Sequence, residues 1–543
     1  MRMTLLPWSW IAWLTAALTI VLPPRETGDP YTPDSRVDVV HYVFDVTLSD
    51  ESDVIIGSAE LTVRVLSNDV DQLKLDLVSS NGDSGMSVQS VELDSRPAQF
   101  RHADDVLAVD LPSQSEGLHN IRINYSGKPA DGLIIASNRH GDRTFFGDNW
   151  PNRARFWLPT VDHPSDKATV EFLVTAPAHY QVVASGELVE RTDLSGERRR
   201  THTATRVPLP TKVMVIGAAQ FAVDVAGEVG PTRVESWVFP QDRENGFRGY
   251  ARAVDALRFF VERIGEFPYS KLANVQSKTR YGGMENAGNI FYSESSVSPR
   301  GTSESLLAHE IAHQWFGDSV TEADWHHIWL SEGFATYMAN LFTEYAHGPQ
   351  ALSDALALQR DAVIQYARSN PDRPVLDTTI VNLNDLLSTN SYQKGGWVLH
   401  MLRREIGDDH FWQSIRTYYA RYRDGNALTD DFESTVSDVT RRDMSWFFDQ
   451  WIRRPGQPII QAAWRYDEAG KQLVINIEQK QNDPPFAVSL EGAVETDDGT
   501  SVPFTVSLAE RSSEHRIDLK AAPQSVRLDP NVNLLAAIEI SHR

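Results

Sequence analysis

Residues 306–315 read LLAHEIAHQW, with His309 and His313 four apart and Glu310 directly after the first histidine. The pattern of Ser303–Phe316 fits a helix, on which positions i and i+4 share a face, so both imidazoles aim at one point. Glu310 is rotated away from that point; in metalloproteases with this arrangement the glutamate acts on water and does not bind the metal. The motif alone also suits a core helix that happens to carry two histidines. A third ligand separates the two readings, because catalytic zinc takes three protein ligands and keeps one position open. The stretch WLSEGFATY supplies it: Glu332 follows His313 after eighteen residues and starts another helical pattern. Two helices then close a sphere of His309, His313 and Glu332. Asp318, Glu322 and Asp324 lie between them and read as loop charge or support for the ligands.

The remainder of the 543-residue chain sets the frame for this site. The length favours two to four domains, and 41% hydrophobic with 10% aromatic residues supplies ample core. A net charge of -23 argues against a nucleic-acid surface or an anionic-membrane patch, both of which need clustered cations. The one dense basic run, Arg198–Arg200 in SGERRRTHT, reads as a solvated loop. There is no cysteine, so disulfides and thiolate ligands are excluded and any metal rests on His, Asp and Glu. Leu5–Leu22 is apolar and uncharged and is broken by Pro23–Pro24, the pattern of an export signal. It lacks a clear small-residue cleavage site and approaches bilayer-spanning length, so both a removed signal and a retained membrane anchor fit. Residues 1–30 are assigned to this segment, and the protein is expected in the periplasm, the cell envelope or the medium.

Residues 36–234 read as a β-rich domain of antiparallel sheets. Ala59, Leu61, Val63 and Val65 alternate, as do Ile121, Ile123 and Tyr125. From residue 235 helical spacing takes over, first through Val254, Leu257, Val261 and Ile264, and it dominates to 455, where RRPGQP marks a boundary. Residues 456–543 alternate again and suit a small β-sandwich. The fold class is multidomain α+β.

HEIAHQWFGDSVTEADWHHIWLSEGFA, with YGGMENAGNI upstream and SYQKGGWVLHML downstream, resembles the aminopeptidase N (membrane alanyl aminopeptidase) family, which also contains leukotriene hydrolase. The likeness extends to RARFWLPTVDHPSDKATVEF and FFDQWIRRPGQP. It implies a β-saddle, a thermolysin-like, mainly helical catalytic domain and a β-sandwich, without the C-terminal helical domain of larger relatives. It implies one zinc ion per chain on His309, His313 and Glu332, with Glu310 as general base. Glu285, in the segment Gly282–Gly283–Met284–Glu285, matches the glutamate that binds the substrate's free α-amino group, and Tyr392 matches the tyrosine that steadies the oxyanion. The expected activity is removal of N-terminal residues from peptides. Departures are Ser331 and Asp318, where many relatives have Asn, and Ala339, where relatives often have a carboxylate. A further amine-contacting glutamine in the β-domain is not evident; the corresponding stretch is GDNWPN, where it is open whether Asn149 or a neighbour replaces it. A non-catalytic zinc-binding scaffold and an epoxide hydrolase stand as the alternatives.

Overall fold

The alternation in Ile55–Val65 is realised as a strand with Ala59, Leu61, Val63 and Val65 buried and Glu60 and Arg64 exposed. It pairs antiparallel with Gly117–Lys128, which buries Ile121, Ile123 and Tyr125 on the same side. These features belong to a computed structural model that describes residues 33–542. The apolar N-terminal segment, signal or anchor, lies outside the described residues. Among the described residues no helix is long and apolar enough to cross a membrane.

In the large β-domain sheet, Val37–Thr47 and Lys167–Pro177 lie side by side and parallel. This corrects the expectation of purely antiparallel sheets. The chain between these two strands is long enough for the crossover that parallel neighbours need. Arg198–Arg200 is also corrected: it opens the strand Arg198–Ala204, paired with Lys167–Pro177. Asp193 on the adjacent strand takes Arg199 at 2.6 Å and Asp45, two strands away, takes Arg200 at 2.6 Å, so the sheet pairs two of the three charges that read in isolation as a loop run. A smaller sheet of Gln181–Ala184, Ile216–Ala219, Arg143–Gly147 and Leu133–Ser137 completes this part.

The next sheet contains Ala222–Val229, Thr232–Val238, Lys271–Ser277, Asn289–Ser293 and Gly283–Met284. Its strand Thr232–Val238 runs across the 234/235 junction, so the unit that carries the zinc motif takes its first strand upstream of that junction. Helices follow: α1 (Arg243–Tyr250), α2 (Ala253–Arg263), α3 (Glu304–His313), α4 (Trp329–His347), α5 (Pro349–Ser369), α6 (Gly395–Ile406), α7 (Asp408–Tyr422) and α8 (Thr429–Thr440). α2 buries Ala256, Leu257, Phe259 and Phe260 against the sheet and α3. Beyond the helices, Ile459–Asp467, Gln472–Gln479, Ser512–Asp518 and Ala537–His542 form one sheet, and Val488–Thr496, Ser501–Leu508 and Pro523–Leu528 form a second. Trp451 and Phe486, with ring centroids 5.2 Å apart, join this region to the helical core.

The β-domain is fastened to the site from behind. Lys167 Nζ donates to the carbonyls of Asp318 (2.9 Å) and Ser319 (2.8 Å), both in the loop after α3. Lys212 Nζ meets Glu322 Oε1 at 2.5 Å, with side chains only 1% and 0% exposed. Removing one partner of such a pair strands a charge in the interior, at a cost of about 3–5 kcal/mol. Lys212→Met is therefore expected to lower the urea midpoint markedly, and Lys212→Met with Glu322→Met to recover most of the loss. A double variant no more stable than the single one contradicts this account.

Candidate active site

α3 begins where Ser303 Oγ accepts the Leu306 N–H at 3.3 Å, with Glu304 in the first turn facing the positive helix end. It ends at His313, one residue before the chain turns toward α4. Glu332 lies in the first turn of α4, and the packing of α4 on α3 points it at the histidines. His309 Nε2 and His313 Nε2 are 3.1 Å apart, and Glu332 Oε2 is 3.3 and 3.2 Å from them. Glu332 Oε2 is buried with no hydrogen-bond partner among the described residues. Three convergent donors, one of them a buried orphan oxygen, fit a cation, and a His, His, Glu set fits zinc better than Mg or Ca, which prefer oxygen shells.

The ligands are oriented by groups that differ from the expected carboxylate. His313 Nδ1 lies 3.2 Å from the Phe316 carbonyl and 3.0 Å from Ser331 Oγ. It therefore carries the proton and leaves the Nε2 lone pair for the metal. Ser331 thus acts directly on a ligand, while Ala339 is simply buried in α4. Burial opposes ionisation of Glu332, yet the imidazoles of His313 and His309 hold its carboxyl below the usual range. Glu310 is pushed the other way. Burial raises its carboxyl well above the usual value, and the charges of Glu285 and Glu332 add to this against the pull of His313.

Tyr392 stands in a π-helical turn, Asn390–Lys394, immediately before α6. Its ring lies parallel to that of His309, centroids 5.9 Å apart. Burial and the Glu332 charge raise its phenol well above the ordinary value, so the O–H stays a donor at neutral pH. It reaches this place because α6 crosses α4 at two glycines. A Cβ on Gly333 would sit 2.9 Å from Gly395 Cα, a clash with backbone, so neither position admits a side chain.

Glu285, Glu310 and His313 offer donor atoms that all lie within 4.8 Å of one another. One cleft collects Gly283, Met284, Glu285, His309, Glu310, His313, Glu332 and Tyr392, together with Trp150, Tyr281 and Leu387. Gly282 is absent from its lining, and a Cβ there would meet only Leu306 Cδ1 at 3.9 Å. Gly283 differs sharply: a Cβ would fall 2.2 Å from Glu310 Oε1 and 2.6 Å from its Cγ. The second glycine of GGMEN thus leaves the space that the Glu310 carboxyl occupies.

At GDNWPN it is Trp150, and not Asn149, that reaches the cleft wall, and its indole N–H, a donor only, cannot accept from an ammonium. Asn149 is fully buried and committed, donating to the carbonyls of Thr211 (3.1 Å) and Met214 (2.6 Å) and accepting from Trp157 Nε1 (2.8 Å). Trp150 lines the cleft, edge-on to Tyr281 at 5.9 Å and to Trp325 at 6.3 Å. The sequence reading missed Trp150, Tyr281 and Leu387. An aromatic flanking each quoted motif was the available signal for the first two, and Leu387 carried none.

The description "Peptidase family M1 domain" matches residues 250–451, and "Peptidase M1 N-terminal domain" matches residues 39–213. The chain belongs to peptidase family M1. Among its M1 relatives, human glutamyl aminopeptidase is 25% identical over 69% of this chain and 41% of the relative. Aminopeptidase N of Lactococcus lactis subsp. lactis is 26% identical over 75% of this chain and 50% of the relative. The chain spans about half the length of these curated relatives. A Legionella pneumophila aminopeptidase A in complex with aspartic acid shares the fold, with TM-score 0.80, 17% identity, and coverage of 96% of this chain and 61% of that one. An M1 zinc metallopeptidase E323A mutant from Deinococcus radiodurans aligns with TM-score 0.66 and 25% identity over 79% of this chain and 96% of that one.

The Gly283 geometry makes a sharp forecast for this M1 site. Gly283→Ala displaces the Glu310 carboxylate and should lower kcat/KM by about a hundredfold or more, the scale of losing a general base, while bound zinc measured by elemental analysis is unchanged. Gly282→Ala should stay within about threefold of wild type. Equal losses in the two variants would refute the assignment of that space to Glu310.

Proposed function

We propose that this protein is an aminopeptidase that holds one zinc ion per chain on His309, His313 and Glu332 and removes single residues from the free N-terminus of peptides. The observation that carries the reading is Glu285: its carboxylate shares one cleft with the general base and lies within 4.8 Å of a ligand nitrogen. A peptide's terminal ammonium paired with Glu285 brings the first carbonyl to the metal point, because one residue spans only about 3.5 Å. An internal peptide bond has no such charge to offer.

Bound at this site, zinc supplies Lewis acidity toward the attacking water and the scissile carbonyl. Glu310 takes the proton from the attacking water, and its raised proton affinity suits it to deliver that proton to the leaving amine. The Tyr392 phenol donates to the oxygen on which negative charge develops. Glu285 keeps the chain end in register throughout.

The walls also bear on the residue removed. Trp150, Tyr281, Met284 and Leu387 are uncharged. An acidic first residue would meet Glu285, and among the described residues the arginines flanking the cleft are already paired, Arg153 with Asp148 and Arg280 with Asp131, so the preferred substrates carry an uncharged first side chain. Export, supported by the run Leu5–Leu22, would place this activity outside the cytoplasm. Glu310 and Tyr392 both reach the cleft, where a scaffold that only binds zinc has no use for them.

The test is cleavage of leucyl-, glutamyl- and N-acetyl-leucyl-arylamides before and after chelation and zinc add-back. Chelator-sensitive cleavage of the free-amine leucyl compound is expected, with the glutamyl compound at least about tenfold poorer, one unfavourable charge contact's worth. Cleavage of the acetylated compound would overturn the exopeptidase reading. Tyr392→Phe should reduce kcat by about 10²–10³ with little change in KM, the scale of one lost oxyanion donor. An unchanged kcat would remove Tyr392 from the mechanism.

A further inference from the structure

Gln314 follows the second zinc ligand and is fully buried, yet nothing in the chemistry above uses it. Its side chain makes three hydrogen bonds. Oε1 accepts the Gly288 N–H at 2.7 Å, and Nε2 donates to the Glu285 carbonyl at 2.7 Å and to Asp318 Oδ2 at 3.0 Å. A backbone N–H needs an acceptor and a carbonyl needs a donor, so the carboxamide has a single satisfactory orientation. Glu285 and Gly288 are the two ends of the short loop that carries the ammonium-binding carboxylate. The C-terminus of α3, which carries His313, and this loop are thus bolted together through one side chain.

We propose that Gln314 is a positioning residue that fixes the distance between the zinc site and Glu285, and so sets the enzyme's discrimination for a free α-amino group. The inference rests on the aminopeptidase reading. Cleavage after one residue requires that the ammonium binder and the metal point stay one residue's span apart, and small displacements cost disproportionately where two charges must be met at once. Loss of the carboxamide leaves a buried carbonyl at Glu285 and a buried N–H at Gly288 without partners. The loop then shifts to satisfy them and carries the Glu285 carboxylate with it. Metal ligation has no reason to change, because Gln314 touches none of His309, His313 or Glu332 through its side chain.

The experiment uses the full chain loaded with zinc and two hydroxamates that differ only in the α-amine: leucine hydroxamate and its des-amino counterpart, 4-methylpentanohydroxamate. Wild type is expected to prefer the amine-bearing compound. In Gln314→Met that preference should fall by about tenfold or more, with affinity for the des-amino compound and the zinc content unchanged. In turnover, KM for leucyl-arylamide should rise more than kcat falls. Gln314→Asn keeps a carboxamide but is one methylene too short to reach both Gly288 and Glu285, so it should show the same loss and serves if the methionine variant does not fold. An equal loss for both hydroxamates, or a loss of zinc, would reduce Gln314 to a structural residue and overturn the inference. If wild type shows no preference for the amine, the aminopeptidase reading fails and this inference falls with it.

Discussion

Three donor atoms from two helices, each 3.1–3.3 Å from the others, are the constraint on which the architecture depends. Burial opposes the charge on Glu332, and the imidazoles of His313 and His309 offset that cost by holding its carboxyl below the usual range. The arrangement persists because α3 and α4 are clamped by packing on all sides. Leu307, Ala308, Ile311 and Ala312 of α3 and Phe334, Ala335 and Met338 of α4 are each at most 1% exposed. The Gly333–Gly395 crossing then lets α6 approach closely enough to present Tyr392 to the same point. A cation is what the clamped geometry lacks, and a metal ion supplies it.

The charge distribution around the site extends this logic. Glu285, Glu310, Asp318, Glu322 and Glu332 are all at most 5% exposed and lie on neighbouring elements. Two lysines of the β-domain, Lys167 and Lys212, enter from behind, and each is fixed on the loop between the zinc helices. Burial acts on the whole group: it raises the carboxyls of Glu310 and Asp318 well above the usual range and lowers Lys167 to about 7, while Lys212 and Glu322 remain in direct contact.

Legibility in the sequence followed the range of the interactions. His309, Glu310, His313 and Glu332 were readable because helical period converts spacing directly into direction, and α3 and α4 form where that period predicts. The strands Ile55–Val65 and Gly117–Lys128 were readable for the same reason at period two. The strand at Arg198–Ala204 was hidden because Arg199 is matched by Asp193 on the adjacent strand and Arg200 by Asp45 two strands away, pairings that no local pattern encodes. The parallel pairing of Val37–Thr47 with Lys167–Pro177 was equally nonlocal. Glu285 and Tyr392 came only from family resemblance, since a glycine-flanked glutamate and a buried tyrosine have ordinary structural uses. Ser331 read as a departure from the family, yet its hydroxyl does the orienting that a carboxylate performs elsewhere.

The same nonlocality explains why the β-domain belongs to the active site. Trp150 lines the cleft from that domain, and its indole N–H is buried without a partner among the described residues. Trp325 backs it and lies 5.8 Å from the Lys212 ammonium, whose partner Glu322 sits between the zinc helices. A wall of the cleft, the buried ion pair and the loop joining α3 to α4 are therefore one contiguous structure. A shift of the β-domain would move the wall and disturb the loop that connects two of the ligands to the third. The domain seam is thus a component of the catalytic geometry, and the M1 N-terminal and peptidase regions are expected to act as a single unit in this chain.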